Sequence, residues 1–247
     1  MLVIGSGVLG RLAAAHWRTA TAAPVIGVTR SRNAEREQAF LAEGITPKLR
    51  EELECEMGDA PGSGPYAHVL FCASPGGNED YVGEVDRAMR LWNAEAPGGR
   101  FVFTSSAGVY EEQDGGVVTE ASPTASTPRA AKLLAAEERV LAAGGTVVRL
   151  AGLYLLNRGA HNAWLSMEEV KTGGADGLIN QVGCRSARAH RNAAQDGTVA
   201  CRLAYCALLE WRCGRRHGMR GVGAARVEVW AHESAARSKP RRERRSR

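Results

Sequence analysis

The stretch Leu2-Val3-Ile4-Gly5-Ser6-Gly7-Val8-Leu9-Gly10 decides the fold. Three apolar residues lead into a Gly-x-Gly-x-x-Gly turn. Leu9, Leu12, Ala13, His16 and Trp17 then recur at helical spacing over residues 8–20. A second apolar strand, Pro24–Val28, follows. Strand, glycine turn, helix and strand make a βαβ unit, the setting in which this spacing has a mechanism. The first glycine permits the tight turn, the second lets backbone approach a pyrophosphate, and the third lets helix and strand pack closely. The diphosphate then faces the positive end of the helix. A glycine turn that holds no ligand is the competing reading. Gly5, Ser6, Gly7, Val8, Leu9 and Gly10 are thus the first candidate cofactor-binding residues.

The same grammar continues outward. Residues 33–43 read as a helix stopped by Gly44, and a short strand is expected at Ile45–Leu49. Residues 50–66, acidic and then rich in Pro and Gly, read as a surface connection. Strands are expected at His68–Ala73, Arg100–Thr104 and Thr146–Leu150, with an amphipathic helix over 79–93 and a polar loop over 105–126. Thr127-Pro128 opens a helix over 128–142, since Thr caps well and Pro loses an N–H that had no partner. Continuous apolar strands alternating with helices predict a doubly wound α/β fold, a parallel sheet covered on both faces.

Two further stretches carry chemistry. An NAD-preferring site places Asp or Glu at the end of the second strand to hold the ribose 2′-hydroxyl. Here that position reads Thr29-Arg30-Ser31-Arg32, with no acid. Guanidinium forks and small hydroxyls suit a 2′-phosphate, so NADP(H) is the expected cofactor and NAD the alternative. Two solvated arginines at a helix start would look the same. Farther along, Phe101-Val102-Phe103-Thr104-Ser105-Ser106-Ala107-Gly108-Val109-Tyr110 runs from a strand into a serine-rich turn. The carboxyl ends of central strands line the ligand crevice in such sheets, and hydroxyls there can polarise a carbonyl.

Taken together, the glycine turn, Val69–Pro75 (VLFCASP), FVFTSSAGVY, Thr119–Pro123 (TEASP) and Val147–Tyr154 (VVRLAGLY) resemble an atypical short-chain dehydrogenase/reductase of the NAD-dependent epimerase/dehydratase superfamily. Arg149–Trp164 is similar to a plant and bacterial subgroup of unassigned function. The resemblance covers residues 1–182. It implies that Ala73, Ser74 and Pro75 join the cofactor site and that Ser106 orients a substrate. It also implies a Tyr-x-x-x-Lys pair, in which tyrosine is the general acid/base and lysine holds the nicotinamide ribose. Lys132 is the lysine, but Pro128 stands where the tyrosine belongs. Tyr110 is the nearest other phenol, although in the family this tyrosine packs beside the substrate. Tyr154, Arg158 and His161 fall where relatives place substrate-facing loops. The implied function is an NADP(H)-binding protein acting on a small carbonyl or sugar-nucleotide type of substrate. The alternative is a catalytically inert nucleotide-binding sensor or scaffold.

Composition divides the 247-residue chain. Residues 183–247 hold 16 of the 32 Lys and Arg but 5 of the 27 acids, a net charge of +11, while residues 1–182 carry −6. Residues 1–182 are therefore expected to form the Rossmann-type domain. Residues 183–247 are expected to be an irregular, Arg-rich extension, of the kind a GC-rich gene yields when read out of frame or through a retained intron. Cys201, Cys206, Cys213 and His217 have the ligand types of a zinc site, but their spacing fits no common pattern and no metal is expected. A basic arm attracts phosphate without sequence preference, yet nucleic acid is not the expected partner. No apolar run approaches the roughly 18 residues of a membrane span. A cytoplasmic location is expected if Met1 is the start, and a plastid one if the true start lies upstream. The sequence leaves the oligomeric state open.

Overall fold

The computed structural model describes residues 1–113, 116–159, 162, 165, 181–183 and 228–231. Its strands are β1 (Leu2–Ile4), β2 (Val25–Thr29), β3 (Ile45–Leu49), β4 (His68–Phe71), β5 (Arg100–Ser106), β6 (Thr146–Leu150), β7 (Gly152–Tyr154), β8 (Gln181–Gly183) and β9 (Glu228–Ala231). The helices are α1 (Val8–Thr21), α2 (Ala34–Ala42), α3 (Tyr81–Met89) and α4 (Pro128–Ala142). The main sheet has the order β3-β2-β1-β4-β5-β6-β9. The first six strands are parallel, and β9 joins β6 antiparallel with Val147 opposite Trp230. This is the doubly wound α/β architecture with the dinucleotide-fold strand order. The order reverses between β1 and β4, and in such sheets ligands bind outside the carboxyl ends of the strands at that point.

Two-residue periodicity sorts the core onto the two faces of the sheet. Leu2, Ile4, Val69, Phe71, Phe101, Phe103 and Val147 belong to one buried cluster with Tyr81, Val85 and Met89 of α3 and Leu133 and Val140 of α4. Val3, Leu70, Val102, Val148 and Leu150 belong to the other, with Ala13, Ala14 and Trp17 of α1 and Phe40 of α2. The strands are apolar throughout because both faces are covered.

Three helix starts are capped by a side chain. Asn33 accepts from the Arg36 N–H at 2.8 Å, Asp80 from Gly83 at 3.1 Å, and Thr127 from Ala130 at 3.2 Å. Helix α1 has no such cap and no acidic residue in its first turn. Its N-terminal N–H groups thus keep their positive potential for something else.

Several boundaries differ from expectation. The serine turn is part of the sheet: β5 runs to Ser106 because Ser105 and Ser106 pair with Arg149 and Leu150 of β6. The 50–66 connection is not wholly superficial, since Leu53, in a 3₁₀ turn at Glu51–Glu56, is buried against the α3 and α4 face. The small β7–β8 pair and β9 were not anticipated. The zinc-type residues, His161 and nearly all of the Arg-rich extension lie outside the described residues.

Candidate functional site

Each glycine of the opening turn has a distinct structural reason. Gly5 has φ +94°, and a Cβ there would sit 2.3 Å from the backbone nitrogen of Ala73 as β4 exits the sheet. Only glycine satisfies both conditions. A Cβ at Gly10 would meet the Gly5 carbonyl at 2.6 Å and the Val3 side chain at 2.9 Å, so α1 packs on β1 because this residue lacks one. At Gly7 a Cβ would meet nothing within 4 Å. The space beside Gly7 opens at the uncapped mouth of α1, where a phosphate can approach backbone N–H groups. Underneath, the Cys72 thiol donates to the Gly5 carbonyl at 3.1 Å, and burial pushes its pKa up to about 12. It is a neutral structural group, not a nucleophile.

This turn lies in a cleft of about 810 Å³ that follows the carboxyl ends of the parallel strands. Gly5, Ser6, Gly7, Val8, Leu9, Thr29, Arg30, Ala73, Ser74, Pro75 and Ser106 all line it. Gly10, Ser31, Arg32, Tyr110 and Lys132 do not. Arg32 instead pairs with Glu52 and, at 3.6 Å, with Glu37. Arg36 and Arg50, which belong to no motif in the sequence, also line the cleft, from α2 and from just beyond β3. Two arginines beyond the quoted TRSR stretch were legible as charges, but only the fold brings them to it.

Glu84 of α3 organises this end. Its carboxylate is buried and accepts from Arg50, from Asn78 and from Arg30 at 3.5 Å. Arg36 has no side-chain partner among the described residues.

At the other end, β5 presents Thr104, Ser105 and Ser106, β6 presents Leu150, and the α4 start presents Arg129. Ser106 Oγ accepts from the Gly108 N–H at 3.1 Å, which fixes the side chain at the strand end. Ser105 is buried and donates to Glu137, which also receives Arg149 at 2.6 Å. The guanidinium of Arg149 stands 4.9 Å over the Tyr110 ring. Burial pulls the Arg149 pKa down, but hydrogen bonds to Glu137 and the Tyr110 hydroxyl outweigh it and leave the pKa raised. Tyr110 is buried beneath Arg149 and does not line the cleft. Lys132 donates from Nζ to the Asn78 carbonyl at 2.8 Å. Pro128, at the first position of α4, offers no proton.

The fold and its glycine turn define a Rossmann-type α/β protein. Its resemblance to the epimerase/dehydratase superfamily is matched among solved structures at the level of fold. A candidate NAD-dependent epimerase/dehydratase from Methylobacillus flagellatus aligns with TM-score 0.51 and 17% identity over 89% of this chain and 86% of its own. The reductase domain of an aureusimine biosynthetic cluster aligns with TM-score 0.51 and 14% identity over 76% of this chain and 61% of its own. A conserved protein of unknown function from Silicibacter pomeroyi aligns with TM-score 0.47 and 23% identity over 75% of this chain and 64% of its own. The chain therefore spans less than two thirds of two of these three. No known family profile and no curated protein matches the sequence. No helix among the described residues is long and apolar enough to cross a membrane.

Proposed function

We propose that this chain binds NADP(H) and serves as a short-chain dehydrogenase- or epimerase-like enzyme for a small carbonyl or sugar-nucleotide type of substrate. One observation carries the reading: the uncapped N-terminus of α1 faces open space beside Gly7 at the point where the strand order reverses. The donor set fits a dinucleotide. Backbone N–H groups of Val8 and Leu9 would hold the diphosphate, since the Gly7 N–H already donates to the Gly5 carbonyl at 2.7 Å, and Thr29 and Arg30, with Arg36 and Arg50 beside them, would hold a ribose 2′-phosphate. Arg36 is the strongest contributor, because Arg30 and Arg50 already share the Glu84 carboxylate. When bound, the nicotinamide supplies or accepts a hydride.

The chain's own groups would then act on the substrate. The Ser106 hydroxyl orients and polarises a carbonyl, and Lys132, released from Asn78 or reaching past it, holds the ribose. Proton transfer falls to water or to a group other than residue 128. A second reading, a nucleotide sensor or scaffold without turnover, draws on Pro128 and on the burial of Tyr110.

Fluorescence titration of the full chain with NADPH and NADH tests the binding claim, with NADPH expected to bind at least tenfold more tightly. Indifference to both dinucleotides by a folded protein would sink it. NADPH oxidation across a panel of carbonyl compounds then separates enzyme from sensor. Under the enzyme reading Ser106→Ala abolishes turnover and spares cofactor affinity.

A further inference from the structure

We infer that the β5–β6 end of the cleft is a subsite for the anionic group of the substrate, a carboxylate or phosphate held by Arg129 and Arg158. The inference rests on the dinucleotide reading above, which gives the other end of the cleft to the cofactor.

Among the described residues, five arginines and one carboxylate line the cleft. They fall into two groups. Arg30, Arg36 and Arg50 surround the ends of β2 and β3, and Glu84 neutralises part of their charge. Arg129 comes from the first turn of α4, and Arg158 from the turn after β7, where its backbone pairs with Leu155. The ends of β2 and β5 are separated by three strand spacings, about 14 Å. One phosphate cannot serve both groups. The 2′-phosphate end has its own cations, so the second group answers to a different anion.

Arg129 and Arg158 are exposed side chains with no side-chain partner among the described residues. Among the described residues, no carboxylate lines this end of the cleft. Two like charges directed at one cavity repel unless an anion lies between them, and a low-dielectric cleft concentrates their field. The guanidinium fork matches the paired oxygens of carboxylate or phosphate. Thr104 and Ser106 stand at the same end. A ligand with a carbonyl near the Ser106 hydroxyl and an anionic group a few atoms away fits this arrangement. An uncharged sugar or ketone leaves both arginines unanswered.

The test uses the full chain saturated with NADP⁺, so that the diphosphate site is filled. Inorganic phosphate and succinate are titrated in by calorimetry, against wild type, R129Q, R158Q and the conservative R129K. Each Gln variant is expected to weaken anion binding about tenfold or more, and R129K to retain part of it. NADP⁺ affinity should change less than threefold in all of them. Anion binding to the NADP⁺ complex that neither Gln variant alters would overturn the subsite while leaving the cofactor reading intact. So would an equal loss of NADP⁺ affinity, which would make these arginines cofactor ligands. Wild-type protein that binds neither dinucleotide sinks the cofactor reading first, and the subsite with it.

Discussion

The Lys132 ammonium donates to the backbone carbonyl of Asn78 at 2.8 Å, tying the start of α4 to the loop between β4 and α3. Asn78 in turn donates its side-chain amide to Glu84, which also takes Arg30 and Arg50. One loop residue thus joins the arginine end of the cleft to the helix that carries the lysine. The loop begins with Ala73-Ser74-Pro75, which line the cleft beside the glycine turn, with Ala73 packed against Gly5.

Lys132→Met removes this charge-assisted donor and keeps the length of the stem. A hydrogen bond from a charged donor contributes about 1.5–3 kcal/mol, and the lower end applies to this partly buried one. The urea midpoint should fall accordingly, and NADPH affinity should weaken about three- to tenfold as the loop loosens. Unchanged values of both would show that the tie carries nothing.

Pro128→Tyr restores the phenol that the resemblance demands. The cost in stability is small, because Pro at the first helical position contributes only preorganisation and Thr127 still caps the helix. If want of a general acid limits turnover, NADPH oxidation with a responsive carbonyl compound should rise about a hundredfold. An identical rate in both proteins would place the acid elsewhere.

The glycines divide by role. Gly10→Ala forces a methyl to within 2.6 Å of the Gly5 carbonyl and 2.9 Å of Val3, a clash with backbone that should cost about 1–3 kcal/mol in urea denaturation. Gly7→Ala meets no atom and should leave stability within about 0.5 kcal/mol. It should nevertheless cut dinucleotide affinity at least tenfold, by occupying the space a phosphate would use. Equal losses of stability in the two variants would refute this division.

Most of the fold was legible because its cause is local. The Leu2–Gly10 turn, the Thr127-Pro128 helix start and the buried strands each carry their pattern within a dozen residues, and β3, α4 and β6 fall on the expected bounds. Ser105 and Ser106 look like loop in the sequence because polar residues at a strand end have no period. Pairing with β6 holds them in the sheet. Arg36, Arg50 and Glu84 escaped notice because their meaning depends on three separate elements meeting. Tyr110 was a candidate acid by type and position, and its burial under Arg149 could not be read from spacing. For β9, the signal in Glu228–Ala231 is short, and its partner strand lies some eighty residues away.

Acid sensitivity follows from Glu56. Its carboxylate accepts from Lys48 at 2.6 Å and from the Tyr66 hydroxyl, and these bonds, Lys48 first, hold its pKa below the usual 4.5. A carboxylate depressed in the folded state contributes stability that is present above its unfolded pKa. That stability disappears as pH falls through the folded value. Glu56→Gln should therefore lower stability at pH 7 by about 1 kcal/mol or less and flatten the decline below pH 4.5. The alkaline side has the opposite sign. Lys48 is raised above 10.5 by its bond to Glu56, so its contribution is full below that pH and is lost above it. Urea midpoints measured from pH 3 to 11 in both proteins would reveal either limb, and parallel curves would contradict the assignment.

The buried pair of Arg149 and Glu137 separates the cost of breaking an ion pair from the worth of having one. Arg149 approaches Glu137 through Nε at 3.1 Å and Nη2 at 2.6 Å, with the two side chains 9% and 4% exposed. Arg149→Met leaves Glu137 with Ser105 as its hydrogen-bond donor and removes the cation over Tyr110. A buried charge deprived of its partner typically costs about 3–5 kcal/mol. Removing both charges, as Glu137→Leu with Arg149→Met, discards two desolvation penalties together with one attraction. Such replacements often cost little. The double variant should therefore be more stable than Arg149→Met alone, although it departs further from the natural sequence. If the double variant is instead the weaker protein, the pair stabilises more than its desolvation costs, and the Ser105 hydroxyl, left without its carboxylate acceptor, would account for part of the difference.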